Sequence, residues 1–312
     1  MEREKKLKIL KNTLGGYYSN SSEVLFHCPK CEHHKQKLSV NLDKNVFKCW
    51  VCDWSGRDIY RIVRRYGSSA DKSKWKSLFQ EMDVRDFSEK MFGKPDPVPP
   101  QEIDLPQAFV SLVNKNLPST AQKPLNYLQS RGIDKTDIVR WKLGYCSQGR
   151  YAGRVILPSF GLQGRPNYFV ARSYDGDWKK YMNPPCSKSV IFNDLYLDFE
   201  EDMIIVEGVF DAIKAGENSV PLLGSTLVET HPLFEKIVEN DTPIYLALDP
   251  DAEKKTSKLI SLFLKYDIEV YSVDVSPYED VGQMSKEEFL ERKQRAVFLN
   301  SHNYLVSRIA GI

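Results

Sequence analysis

The spacing of apolar positions changes several times along the chain, and each change marks a unit. Leu7, Leu10 and Leu14 fall at helical spacing and stop at Gly15-Gly16, which predicts a short helix over residues 1–14. Strand-like segments follow at 23–28, 37–41 and 46–50. Over 57–66, Ile59, Ile62, Val63 and Tyr66 repeat at i, i+3, i+4 and i+7, so a helix is expected. Arg57, Arg61, Arg64 and Arg65 fill its other positions. A second helical stripe, Trp75, Leu78, Phe79 and Met82, runs through 71–92. Residues 93–100 then hold four prolines in eight positions. Proline fixes φ and removes backbone donors, so this stretch reads as a stiff linker and a domain boundary.

Beyond the linker, residues 123–131 and 136–141 read as helices, and 155–158 and 168–173 as strands around a Gly161/Gly164 turn. From 201 the alternation is regular. Strands are expected at 203–206, 220–223, 244–248 and 269–275, with helices at 210–215, 231–239 and 254–266 between them. Strand, helix, strand at this spacing implies a parallel sheet with right-handed crossovers. Residues 285–312 read as a helical tail.

Composition changes this picture at one point, the distribution of charge. The chain has 312 residues and a net charge of only +2. Residues 1–70 carry +7, residues 71–200 carry +4 and residues 201–312 carry −9. A basic front suits a polyanionic partner, and an acidic back needs an explanation of its own. At 41% hydrophobic the chain can build real cores, which excludes global disorder. Its apolar stretches fall short of the ~18 residues that a membrane span needs. The first residues mix Glu2, Glu4, Lys5, Lys6 and Lys8, unlike a signal peptide, so a cytoplasmic protein with no membrane role is expected.

Four of the six cysteines form two C-x2-C pairs, Cys28/Cys31 and Cys49/Cys52, with 17 residues between the pairs. Two such turns can aim four sulfurs at one ion, which predicts a tetrahedral Zn2+ site on a small strand-flanked ribbon. His27, His33 and His34 crowd the first pair and are expected to be exposed, since the thiolates already fill the coordination shell. Trp50 and Trp54 suit either the ribbon core or a stacking face for single-stranded nucleic acid, with Lys44, Lys48 and Arg57 nearby.

Acidic residues close three of the expected parallel strands. Glu207-Gly208 follows residues 203–206, with Asp211 opening the next helix. Asp249-Pro-Asp251 follows 244–248, and Asp280 comes shortly after the last strand. Functional crevices of open parallel sheets lie beyond the carboxyl ends of their strands. A lone Asp-x-Asp more often caps a helix or turn. Several clusters at the ends of neighbouring strands point instead to a hard divalent cation, Mg2+ or Mn2+, whose shell substrate phosphates complete.

These residues resemble the TOPRIM fold: a strand-end Glu-Gly, then Asp-x-Asp after a later strand. With the upstream zinc ribbon they resemble the DnaG-type primases of bacteria and phages. Tyr127-Leu-Gln-Ser-Arg-Gly-Ile133 through Trp141-Lys-Leu-Gly-Tyr145, Gly153-Arg154-Val-Ile-Leu-Pro158, Tyr168-Phe-Val-Ala-Arg172 and Lys180-Tyr-Met-Asn183-Pro184 are similar to segments of that family's polymerase domain, in its order. The sequence departs from the pattern where Cys31 takes a histidine's place and Ala171 a glycine's.

The resemblance implies an α/β chain: a β zinc ribbon over 1–70, a helix and Pro-rich linker over 71–100, an α+β polymerase subdomain over 101–200, a parallel-sheet TOPRIM subdomain over 201–284 and a tail over 285–312. It implies a template- and nucleotide-binding wall of Arg154, Arg172, Lys180 and Asn183, with Lys188 in place of a further basic residue. It implies metal binding by Glu207, Asp249 and Asp251, with Asp211 and Asp280 in support. The expected activity is synthesis of short RNA primers on single-stranded DNA from ribonucleoside triphosphates, by a phage-type primase working with a separate replicative helicase. A TOPRIM-type nuclease and a non-catalytic, zinc-dependent replication accessory protein are the alternatives.

Overall fold

The structure, a computed structural model, describes residues 2–20, 23–78, 100–224, 226–300 and 304. The chain divides into two compact units, residues 1–98 and 99–312. Most of the expected linker and the end of the expected tail lie outside the described residues.

In the first unit, α1 (Glu2–Leu14) leads into β1 (Tyr17–Asn20), β2 (Glu23–Phe26), β3 (Leu38–Asn41), β4 (Val46–Cys49) and β5 (Ser55–Gly56). These strands pair antiparallel in chain order. Because side chains alternate along a strand, one face of this sheet is apolar. Val24, Phe26, Leu38, Val40 and Phe47 are buried on it. α2 (Tyr60–Tyr66) and α3 (Ser69–Leu78) pack with α1, and Leu10, Trp54, Ile59, Ile62 and Trp75 are buried in the same unit. Trp54 meets Phe47 at 4.7 Å between ring centroids and Tyr66 at 5.7 Å. It therefore belongs to the core. Arg61 and Arg64, placed by the sequence pattern on the polar side of a helix, are also buried.

The second unit holds two sheets. β6 (Phe109–Ser111), β7 (Gly144–Cys146), β8 (Arg154–Phe160) and β9 (Pro166–Ser173) form an antiparallel meander. α4 (Gln122–Ser130) and α5 (Lys135–Arg140) lie between β6 and β7 in the chain. The other sheet has the order β11 (Ser219–Pro221), β10 (Met203–Val206), β12 (Ile244–Ala247), β13 (Val270–Ser272), β14 (Val297–Leu299). Its first four strands are parallel and β14 is antiparallel. α6 (Val209–Ala215), α7 (Pro232–Asn240) and α8 (Glu253–Lys265) provide the crossovers. Every residue of β10 and β12 is buried, as expected for parallel strands covered on both faces. The tail opens with α9 (Lys286–Gln294) and then adds β14 as an edge strand. Leu128, Tyr145, Val155 and Tyr168 of the first half share one core with Ile205, Phe210 and Ile213 of the second.

This strand order positions the site. β10 is an interior strand: its crossover through α6 leads to β11 on one side, and the next, through α7, leads to β12 on the other. The chain reverses direction across the sheet here, which opens a crevice beyond the carboxyl ends of β10 and β12.

Candidate active site

Glu207 directly follows β10, and Asp249 comes two residues after β12, so both stand at that crevice. Asp211 lies on the first turn of α6, is buried, and uses both carboxylate oxygens as a bracket. Oδ2 accepts the Gly208 N–H at 2.8 Å and Oδ1 accepts the Gly282 N–H at 2.9 Å. It thus ties the β10–α6 turn to the turn that carries Asp280. Neither glycine can be replaced freely. A Cβ on Gly208 would meet Asp211 Oδ2 at 2.9 Å, and one on Gly282 would meet Asp211 Oδ1 at 3.0 Å and Asp280 Oδ1 at 3.2 Å. The Glu-Gly-x-x-Asp spacing read in the sequence is the covalent form of this bracket.

The acids raise one another's affinity for protons. Burial, then the nearby Asp280 carboxylate, pushes Asp211 up to about 6 against its two N–H donors. Burial, then the carboxylates of Asp211, Glu207, Asp280 and Asp251, pushes Asp249 up to about 7. Lys255, on the first turn of α8, offsets part of this charge through Glu207 Oε2 at 3.2 Å. Glu207 Oε1, Asp249 Oδ1 and Asp280 Oδ1 are sealed from solvent with no hydrogen-bond partner. Such orphaned acceptors cost free energy unless a cation meets them. Among the described residues no three of these carboxylates bring oxygens within 4.8 Å of one another. The carboxylates thus form no preassembled three-ligand cluster, although oxygen donors of this kind are the type that hard cations such as Mg2+ take.

A pH prediction follows from these two groups. An acid whose pKa is raised on folding stabilises the protein at low pH. That contribution is lost as pH climbs from about 4 through the folded value. Without divalent metal, Tm is expected to fall between about pH 4 and pH 7. Mg2+ binds the ionised form, so its stabilising effect should grow between about pH 6 and pH 8. Thermal melts with and without Mg2+ check this; an equal Mg2+ effect at both pH values would contradict it.

Beside the carboxylates stands a wall of aromatic and basic side chains. Arg172 Nε donates to Tyr127 Oη at 3.2 Å, and its guanidinium covers the Tyr181 ring at 4.7 Å. Tyr127 meets Phe210 edge-on at 6.4 Å, and Arg131 covers Phe210 at 4.6 Å. Burial raises the pKa of both Asp211 and Tyr181, and the Arg131 charge, which reaches each of them, opposes part of that rise. Arg172, expected in the binding wall, is thus held between Tyr127 and Tyr181. Lys255 enters from the structure alone; Tyr127, Arg131 and Tyr181 stand in the quoted motif segments with no role assigned to them there.

Lys180 is exposed beside Tyr181. The Asn183 side chain accepts the Ala171 N–H, and Lys188 Nζ donates to the Leu223 carbonyl at 3.2 Å. Arg154 differs from expectation. It is 4% exposed, and its guanidinium is committed to the Asp177 carboxylate and the carbonyls of Ala152 and Lys179. Asp251 is exposed on the turn Pro250–Ala252.

The second candidate site lies in the first unit. The sulfurs of Cys28, Cys31, Cys49 and Cys52 all fall within 4.8 Å of one another, with Cys28–Cys52 and Cys31–Cys49 both at 3.8 Å. A tetrahedron with metal–sulfur bonds of about 2.3 Å has edges of about 3.8 Å, so the four thiols fit a structural zinc ion. Burial raises the Cys52 thiol to about 11 and moves Cys28 in the same direction, whereas against its burial the backbone N–H groups of Cys52 and Val51 lower Cys49. His27 and His34 are exposed, as expected, whereas His33 is half-buried and its Nδ1 accepts the Lys35 N–H at 3.1 Å. Across the sheet, Tyr18, Leu25, Ser39 and Lys48 stand in one register row. At one end Trp50 is 63% exposed, with the Lys48 ammonium 5.0 Å from its ring.

The first unit is a small antiparallel sheet carrying four clustered cysteines, and the second combines an antiparallel meander with a mainly parallel sheet whose strand ends carry the carboxylates. No protein-family model matches the chain. In sequence it is 22% identical to a DNA primase of Mycoplasma genitalium over 93% of its own length. It is 24% identical to a DNA primase of Clostridium acetobutylicum over 86%. It spans 58% and 54% of those proteins, little more than half their length. Its fold is similar to that of a DnaG primase catalytic domain solved bound to ssDNA, with a TM-score of 0.50 and 18% identity over 58% of this chain and 74% of that one. It is similar to the E. coli primase catalytic core at the same TM-score and identity, over 62% and 78%. The chain resembles the DnaG-type primases in sequence and carries the fold of their catalytic core.

Proposed function

We propose that the chain is a DNA primase that copies single-stranded DNA into short RNA primers from ribonucleoside triphosphates. The observation that carries this reading is the set of orphaned, buried carboxylate oxygens at the switch point, faced by cationic and aromatic side chains. Mg2+ or Mn2+ would be held by Glu207, Asp249 and Asp251, with Asp280 beside them. When bound, such an ion supplies charge neutralisation for an attacking ribose 3′-hydroxyl and for the departing pyrophosphate. Asp211 holds the two turns together and contributes its charge. Arg172, Arg131 and Lys180 neutralise phosphates of template or nucleotide, and Asn183 fixes the backbone between them. The exposed Trp50–Lys48 pair suits an unpaired template base on the ribbon. The resemblance adds a separate replicative helicase as partner and replication in the cytoplasm as setting. Among the described residues no helix is long and apolar enough to cross a membrane.

The test is incorporation of labelled ribonucleotides on single-stranded templates with Mg2+. Oligoribonucleotides that require both template and metal are expected. Degradation of the template without any ribonucleotide requirement would replace this reading with that of a nuclease.

A further inference from the structure

Trp178 is 90% exposed, more than any other large apolar side chain among the described residues. It sits on a loop that closes tightly. The Ser173 N–H donates to the Lys180 carbonyl at 3.0 Å, and Arg172 bridges to Tyr181. Within the loop Ser173 Oγ accepts the N–H of Asp175 at 3.3 Å and of Asp177 at 3.1 Å. The Asp177 carboxylate accepts the Lys179 N–H at 3.0 Å. Gly176 turns the chain at φ 76°. Underneath lies Arg154, whose guanidinium grips Asp177 and the Lys179 carbonyl, the two residues on either side of Trp178. Burying a guanidinium is costly unless it is paired, so this contact is part of what fixes the loop. The backbone that presents this exposed indole is therefore braced from both sides.

Its surroundings indicate the occupant. Lys179 and Lys180 are exposed immediately after it, and Lys123 is exposed opposite Asp175 at 3.6 Å. Its chain neighbours, Asp177 and Lys179, are charged, unlike the apolar runs that build protein-docking patches. An aromatic face flanked by cations is the composition that stacks an unpaired base while its phosphates are neutralised. A duplex keeps its base faces covered and offers nothing to stack. We propose that Trp178 is a stacking platform for one base of single-stranded DNA, that Lys179 and Lys180 meet the adjoining phosphates, and that Arg154 and Asp177 are positioning residues for the platform. The return limb of the loop ends at Tyr181, under the Arg172 guanidinium. The inference takes its ligand from the proposed template but needs neither metal nor nucleotide.

The experiment is fluorescence anisotropy of a labelled oligothymidylate titrated with the full chain, free of divalent cations and ribonucleotides. Trp178→Ala is expected to weaken binding by about 5- to 140-fold, with Trp178→Phe recovering most of the loss. Replacing Lys179 and Lys180 by alanine should flatten the dependence of log K on log salt by about 1.4. Asp177→Ala should weaken binding although it removes no contact to DNA. The exposed Trp178 substitutions should leave Tm unchanged, so a binding loss will not report unfolding. Equal binding by wild type and Trp178→Ala, or equal competition by duplex DNA, would overturn the proposal. Trp178-dependent binding without any primer synthesis would support it while removing the primase reading.

Discussion

Asp249→Ala is expected to abolish primer synthesis while leaving the fold as stable as before, or more stable. Asp249 is pushed up to about 7 by burial and by four neighbouring carboxylates, and one of its oxygens is buried without a partner. In metal-free protein its ionised form is therefore a burden, and removing it relieves repulsion at the end of β12. With metal the relation reverses, because the same oxygen is one that a cation would meet. Loss of a metal-holding carboxylate should lower kcat by roughly 1,000-fold or more, about 4 kcal/mol at 1.36 kcal/mol per decade. The combination is diagnostic: a structural role predicts lower Tm and partial activity, whereas a metal-holding role predicts unchanged or higher Tm and almost no activity. Titration with Mn2+ should show weakened binding in the same variant. If Asp249→Ala primes normally, the crevice at the carboxyl ends of β10 and β12 is not the active site. Asp211→Ala should behave differently, since it also releases the N–H groups of Gly208 and Gly282 and should lower Tm.

The parallel sheet and its carboxylates were legible because they rest on local rules. Residues 203–206 and 244–247 are continuous apolar runs, as doubly covered strands must be, and each ends near acid and turn residues. The cysteine pairs were legible because tetrahedral coordination fixes their spacing. What escaped depends on partners distant in the chain. Arg154 looks like a groove cation until Asp177, 23 residues on, is found against it. Arg131 and Tyr127 lie on or just after a helix whose pattern reports only packing, yet Phe210 and Arg172 draw them to the site. Arg61 and Arg64 fill the positions between the apolar ones of the helical pattern and are nonetheless buried, which spacing alone does not reveal for a residue type that is mostly exposed. β14 escaped because three residues after a helix carry too little periodicity to separate strand from helix. The charge distribution keeps its meaning in altered form: the acidic third holds the carboxylate crevice, but part of the basic front is spent inside the ribbon unit.

Removing zinc should unfold the cysteine turns and leave the second unit intact. Structural zinc contributes about 10 kcal/mol or more to small four-ligand domains, comparable to the whole stability of a domain. The first unit has a core of its own around Trp54, Phe26, Leu38 and Trp75, so collapse need not be complete. But Cys49 closes β4 and its neighbour Trp54 is wholly buried, so the loss reaches the core directly. One zinc per chain is expected on release. Chelation, or Cys49→Ser, should red-shift the buried tryptophan fluorescence and open residues 28–52 to protease. The second unit owes nothing to these thiols, since its core is formed by residues of 99–312. Its melting transition and its Mg2+-dependent Tm shift should survive. Zinc uptake should also release protons near neutral pH, because burial holds the Cys28 and Cys52 thiols protonated without metal. An unchanged first-unit transition after complete zinc release would show that the four sulfurs are packed for another reason. Loss of template binding with the second unit still folded would place part of the template contact on the ribbon, where the Trp50–Lys48 pair is exposed.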